Sequence, residues 1–363
     1  MHIRKQPALA IRRVISLYLV LYIFQTHFVF WVPYLPSMKV SDFANHPLRG
    51  WIPTKLIIDK NEVRCRWTYT KDFSYNLPFF DEALLKFIRI RENNIGPKAF
   101  STIDLLPEWS EEIPAIAPNA VIFHVSRCGS TLISQLLGLN PKHISLSEVP
   151  IFDEILRLRN KSILIGDEET SSILGAAIKF YSAKRNMDEE RLFIKTDSWH
   201  LCFYQQYRKI FPDTPFIILY RQPGEVLDSN KRKRGLQGVP SMVGPSVYGL
   251  DANATYCLHP DTYMAMVLEK MFEAILDIAQ TDRHTLLVNY NEGPMAMAEK
   301  IFRFCGFNPN EEERRLIAQR TQYDAKFPDQ KYMELNVAKN DSANAERLLD
   351  LYGQVDLLRL GQK

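Results

Sequence analysis

Apolar positions along the chain change their rhythm twice. Residues 14–24 are apolar or aromatic apart from Ser16, and a second run over 28–32 follows the polar break Gln25-Thr26-His27. Between residues 51 and 70 apolar and polar side chains alternate, which predicts a small hairpin turning at 59–62. A helical pattern follows over 82–91. From residue 119 short apolar runs alternate with longer amphipathic stretches, the rhythm of a parallel sheet covered by helices. Strands are expected over 121–125, 191–195, 215–220 and 285–289, with a helix over 132–139 behind the first. The predicted fold class is therefore α/β, a parallel sheet flanked by helices with a small N-terminal β/α satellite. The expected divisions are a hydrophobic leader over 1–40, the satellite over 45–115, the main domain over 119–310 and a helical C-terminal extension over 311–363. In open sheets of this kind ligands bind at the carboxyl ends of the strands, so the residues just after each run are the ones to read.

Composition narrows the picture little. The chain has 363 residues, 46% hydrophobic and 24% charged, as folded globular proteins are. A formal net charge of +3 is too small at this length to call for nucleic acid as a partner. Any anion preference must come from local clusters. Five cysteines, at 65, 128, 202, 257 and 305, show neither zinc-site spacing nor the density of a disulfide framework. Arg4, Lys5, Arg12 and Arg13 precede the apolar stretch 14–33, which approaches the roughly 20 residues of a spanning helix. That stretch reads as a membrane anchor or as a hydrophobic leader outside the fold. The polar break and the lack of a disulfide framework favour a cytoplasm-facing protein with peripheral or no membrane attachment. The alternative is a single-pass anchor that puts the main domain on the lumenal side.

The most informative segment is Val125-Ser126-Arg127-Cys128-Gly129-Ser130-Thr131-Leu132, a short polar loop between an apolar strand and a helix start. Such a loop aims backbone N–H groups and the positive end of the helix dipole at one point, which makes an anion site. Ser130 and Thr131 add hydroxyls, and Arg127 adds a planar cation. An ordinary turn with Ser130 as N-cap explains the same residues. The nucleotide-hydrolase signature G-x-x-x-x-G-K-[ST] is not met: its first glycine is absent, and Ser130 stands in place of the lysine.

The order basic residue, any residue, Gly, Ser, Thr resembles the 5′-phosphosulfate-binding loop of sulfotransferases that use 3′-phosphoadenosine 5′-phosphosulfate (PAPS). A second segment is similar to the same family. The strand 216–220 runs into Arg221, Gln222 and Pro223 and then a helix with Ser229 eight positions after the arginine. The resemblance assigns Ser126, Arg127, Cys128, Gly129, Ser130 and Thr131 to the phosphosulfate, and Arg221 and Ser229 to the 3′-phosphate. A third segment, strand 285–289 followed by Tyr290, Asn291 and Glu292, looks like a late structural segment of the family, with Asn291 where an acidic residue is more usual. The resemblance covers about residues 119–308 and implies the P-loop-like sulfotransferase fold, PAPS as co-substrate and no metal. It leaves out the family's Arg-Lys-Gly loop near the C-terminus, which has no counterpart here.

Sulfuryl transfer calls for positive charge on the leaving oxygen and a base for the acceptor's proton. Arg127 is the candidate for the first role, with Lys195 as a contact to the leaving group or sulfate. Glu148 stands where related enzymes of the family carry a glutamate base, and Asp197 where others carry a histidine. Glu148 is the favoured base, and His200 is a histidine close by. Lys231 to Arg234 and the glycine- and proline-rich stretch up to residue 259 read as a lid or as a solvated helix end. Two other readings stand beside sulfuryl transfer: a degenerate P-loop kinase or hydrolase, and an inactive PAPS-fold binding subunit. The acceptor is not written in the sequence.

Overall fold

The computed structural model describes residues 46–362 except 61, 72, 74, 76, 96, 162–164, 186–187, 327–329 and 332–344. The leader 1–40, with its anchor candidate at 14–33, lies outside the described residues. Among the described residues no helix is long and apolar enough to cross a membrane.

The chain is α/β, as expected. Among the described residues eight strands form two sheets: β1 (Trp51–Asp59), β2 (Glu62–Tyr69) and β3 (Phe100–Thr102) in one, and β4 (Pro118–His124), β5 (His143–Ser147), β6 (Arg191–Lys195), β7 (Phe216–Tyr220) and β8 (Thr285–Asn289) in the other. The first sheet is antiparallel in the order β1-β2-β3, and the second is parallel in the order β5-β6-β4-β7-β8. The helices are α1 (Phe80–Phe87), α2 (Leu105–Ser110), α3 (Ser130–Leu137), α4 (Pro150–Leu156), α5 (Asp167–Ser182), α6 (Tyr204–Ile210), α7 (Pro223–Arg232), α8 (Pro260–Thr281), α9 (Pro294–Phe304), α10 (Glu311–Arg320) and α11 (Ala345–Gly361), with short helical turns between them.

The central strands read as continuous apolar runs because helices cover both faces. Val121, Ile122 and Phe123 of β4 and Ile217, Ile218 and Leu219 of β7 are fully buried. Sequence reasoning missed the edge strand β5, His-Ile-Ser-Leu-Ser, because three of its five residues are polar. All five are nonetheless buried. Two of the polar side chains are paired inside the fold: His143 Nδ1 bonds the Leu137 carbonyl at 2.8 Å, and Ser145 Oγ donates to the Ser134 carbonyl at 2.8 Å, while the buried Ser147 hydroxyl has no partner among the described residues. The expected helix over 82–91 begins two residues earlier and stops at Phe87, whose carbonyl accepts from the Asn93 side chain.

The small sheet packs against α4 and α5. Tyr181 Oη donates to the Pro53 carbonyl at 2.5 Å, and Trp67 meets Phe180 edge-on with ring centroids 4.8 Å apart. At the other side α11 pins the ends of β7 and β8. Asp356 accepts from Tyr220 Oη at 2.6 Å and from Asn289 Nδ2 at 2.9 Å. Those two strand ends release Arg221 and Tyr290, so α11 fixes part of the site from behind.

Candidate active site

All five parallel strands end at one cleft of about 630 Å³. The residues that follow them line it: Ser126, Arg127 and Gly129 after β4, Glu148 after β5, Asp197, Ser198 and Trp199 after β6, Arg221 after β7 and Tyr290 after β8.

The loop after β4 is wound tightly. Ser126, Arg127 and Gly129 have φ of 70°, 53° and 76°, so two non-glycine residues sit in the left-handed region within four positions. Such conformations cost on the order of 1 kcal/mol each or more and persist where the surroundings over-determine them. His124 is one such constraint. Its Nδ1 accepts the Ser126 N–H at 3.0 Å, and its Nε2 lies 3.0 Å from the Thr196 carbonyl. Accepting at Nδ1 and donating at Nε2 describes a neutral ring with its proton on Nε2. Burial first, and then the charge of Lys195, hold the imidazole below its ordinary pKa. Gly129, not Ser130, is the N-cap of α3, and no side chain caps the helix. The turn is therefore not an ordinary hydroxyl-capped one. The first-turn N–H groups of α3 have no partner within the helix, and the residues that carry them line the cleft. Gly129 is required twice over. Its φ is left-handed, and a Cβ there would stand 2.9 Å from Cδ2 of Tyr290.

Cations gather on this loop. The Arg127 guanidinium donates to the Lys233 carbonyl, and its buried Nε has no partner among the described residues. Burial, then the nearby Arg232, lowers the Arg127 pKa. Arg221 donates from Nε to Glu225 Oε2 at 2.9 Å and lies over the Tyr290 ring, 4.1 Å from its centroid. Glu225 in turn sits in the first turn of α7, capped by the Gln222 side chain. Ser229 follows on that helix and faces the same cleft. The basic end of α7 thus delivers Arg232 and Lys233 to the cleft wall, with Gly235, Leu236 and Gln237 beyond them.

Two carboxylates line the same cleft. Glu148 is held in a left-handed conformation (φ 54°) by its N–H, which donates to the Lys195 carbonyl at 2.8 Å. Its Oε1 takes the Lys195 ammonium and lies 3.6 Å from His124 Nε2. No described residue bonds its Oε2. Burial pushes the Glu148 pKa up, but Lys195 and His124 outweigh it and hold the carboxyl well below the usual range. Asp197 behaves oppositely. Burial, then the charges of Glu148 and Asp153, push its pKa well above the usual carboxylate range. His200 Nε2 lies 3.6 Å from its Oδ2 and 3.4 Å from Asp153 Oδ1. His200 itself is buried, with Nδ1 against Tyr207 Oη at 3.1 Å.

Nearly all of the expected site residues meet in this cleft. Ser126, Arg127, Gly129, Ser130, Thr131, Glu148, Asp197, Arg221 and Ser229 line it. Two do not. Cys128 is fully buried, its thiol directed at the Leu219 carbonyl at 3.3 Å and pushed up by burial to about 12, so only its backbone serves the loop. Lys195 is 1% exposed and reaches the cleft only through Glu148. Direct contact of Lys195 with a sulfate or leaving group is not the geometry observed, because its ammonium is spent on the carboxylate in front of it. Sequence reasoning missed Phe79, Trp199, Tyr290 and Lys326. Tyr290 carried a signal, since it directly follows a buried strand. Phe79 and Lys326 lie far along the sequence from any strand end of the parallel sheet, and nothing in the local pattern marks them.

No protein-family model matches the chain, and no curated protein matches it by sequence. Among solved structures it is similar to the sulfotransferase domain of the Synechococcus PCC 7002 olefin synthase, at 16% identity over 66% of this chain and 95% of that one, TM-score 0.39. It is similar to the sulfotransferase domain of the curacin biosynthetic pathway at 13% identity, over 66% and 99% of the two chains, TM-score 0.40. It is also similar to mouse sulfotransferase SULT7A1 complexed with PAP at 11% identity, over 84% and 93%, TM-score 0.33. Likenesses this distant carry no argument about chemistry, which rests on the cleft's own geometry.

Proposed function

We propose that the cleft transfers a sulfuryl group from PAPS to a hydroxyl or amine acceptor. One observation carries the reading: a wound, glycine-capped anion loop, two fixed arginines and a lysine-paired glutamate converge from three strand ends on one cleft. The residues fit the co-substrate. The orphaned Nε of Arg127 and the helix start at Gly129 to Thr131 suit the 5′-phosphosulfate, and Arg221 with Ser229 suits the 3′-phosphate.

In the proposed reaction the acceptor's oxygen or nitrogen attacks sulfur, and the bond from sulfur to the bridging oxygen breaks. The electron pair leaves on the 5′-phosphate of adenosine 3′,5′-bisphosphate. Arg127 and the loop N–H groups offset the charge that grows there. Glu148 takes the acceptor's proton on its unpartnered Oε2. Lys195 keeps Glu148 ionised, so the base is ready at every pH above the acid range, though pairing also weakens its basicity. Asp197, whose carboxyl is pushed toward the neutral form, suits a hydrogen-bonding contact to the acceptor better than a second base.

A thermal-shift comparison of adenosine 3′,5′-bisphosphate with ATP plus Mg²⁺ tests this reading. Stabilisation by the bisphosphate at tenfold lower concentration than by ATP is expected. The reverse preference refutes it in favour of a kinase or hydrolase. Binding of the bisphosphate with no transfer to any acceptor tried would mark an inactive binding subunit.

A further inference from the structure

The chain after α10 supplies the cleft with a cation that no strand end provides. Residues Thr321, Tyr323, Asp324, Ala325 and Lys326 line the cleft, held there by side chains of two helices. Gln135 on α3 donates from Nε2 to the Ala325 carbonyl at 2.7 Å. Arg320, the last residue of α10, donates to Gln135 Oε1 and to the carbonyls of Tyr323 and Asp324 at 3.1 and 3.0 Å. The Lys326 N–H donates to Asp324 Oδ1 at 2.7 Å. This strap is thereby tied to the same helix whose N-terminus forms the anion loop.

At its end the Lys326 ammonium lies 5.5 Å from the centroid of the Phe79 ring, which the Lys195 ammonium approaches to 5.7 Å. Among the described residues no carboxylate lies within ion-pair distance of Lys326. The charges that reach it are Arg127, Lys233, Glu148 and Lys195, three cations to one anion. Burial, then Arg127 and Lys233, lower its pKa. A half-buried ammonium among cations is held at a cost that an anion in the cleft would offset.

We propose that Lys326 contacts the equatorial oxygens of the sulfuryl group in flight, completing a ring of cations with Arg127 on the side facing Glu148. This inference rests on the PAPS reading above. Position distinguishes its role from phosphate binding: Lys326 lies by Phe79 within reach of the charges of Arg127 and Glu148, whereas Arg221 lies over Tyr290. The lysine gives up no proton, and the bonds made and broken are those of the transfer itself. An arginine cannot reproduce the role fully, because its planar fork does not present a compact point charge.

The test is titration calorimetry of the full chain with PAPS and with adenosine 3′,5′-bisphosphate, for the wild type, Lys326→Gln and Lys326→Arg. Lys326→Gln should weaken PAPS at least tenfold more than the bisphosphate, and Lys326→Arg should recover part of the difference. Equal weakening of both ligands, or none, overturns the inference while leaving the PAPS reading intact. A wild-type chain that binds neither ligand overturns both. Should Lys326→Gln fail to fold, Lys326→Arg decides alone: a PAPS-to-bisphosphate affinity ratio that changes less than twofold overturns the assignment.

Discussion

Glu148 and Lys195 form an ion pair in which the lysine side chain is wholly covered and the glutamate side chain is 25% exposed. Removing one partner of such a pair strands the other, at about 3–5 kcal/mol. Glu148→Gln keeps an amide oxygen toward the ammonium, so its cost falls to about 2–3 kcal/mol. Lys195→Met alone strands a carboxylate that solvent can reach in part, and costs about as much. The double variant leaves no uncompensated charge and should recover most of the loss in a urea or thermal melt. Turnover should not recover. With the proton acceptor gone, Glu148→Gln and the double variant should both release adenosine 3′,5′-bisphosphate from PAPS about a hundredfold or more slowly, across a panel of phenols, alkanols and amines. A double variant that regains turnover along with stability would show Glu148 to be structural and refute its role as base. Acid titration adds a sign. Because the folded-state pKa of Glu148 is depressed, the pair's stabilisation is present above the ordinary carboxylate range and is lost as pH falls through the lower folded value. The double variant should lack that component of acid unfolding.

Arg221→Ala should weaken adenosine 3′,5′-bisphosphate by about 2–3 kcal/mol while leaving adenosine 5′-phosphate almost unchanged, measured by calorimetry; equal losses contradict the assignment to the 3′-phosphate. Gly129→Ala should cost about 1–3 kcal/mol of stability from its left-handed backbone and the close Tyr290 ring, and the Gly129→Ala, Tyr290→Ala pair should recover only the steric part. Asp197→Asn should raise the melting temperature above neutral pH. A carboxyl whose folded pKa is raised destabilises the fold once pH exceeds its unfolded value, and the amide removes that penalty. A lower melting temperature at pH 8 would contradict the burial argument.

The parts of the site that were legible in the sequence are those where chemistry sits directly on an element boundary. Arg127, Glu148, Asp197 and Arg221 each follow a buried strand within three residues, so strand prediction and chemical reading reinforced each other. Glu148 was reached despite its strand being missed, because β5 carries three polar residues that are nonetheless buried. Lys195 shows the limit of that reasoning. Its position at a strand end is right, but one residue's orientation decides whether an ammonium meets the ligand or a neighbouring carboxylate, and side-chain direction is not in the pattern. Phe79 and Lys326 were out of reach for a different reason. They arrive through tertiary packing, one at the start of α1, the other on a strap tied by Gln135 and Arg320. The basic end of α7 was ambiguous as a lid or a solvated helix, and the fold places Arg232 and Lys233 on the cleft wall.

The central claim is sulfuryl transfer, and the direct measurement is an incubation of the purified chain with PAPS labelled with ³⁵S and a panel of hydroxyl and amine acceptors. Label should appear in an acceptor, with one adenosine 3′,5′-bisphosphate formed for each sulfuryl group transferred, and both should vanish in the Arg127→Ala variant. Label that stays in PAPS with every acceptor, from a folded chain that PAPS does not stabilise against heat, would contradict the account.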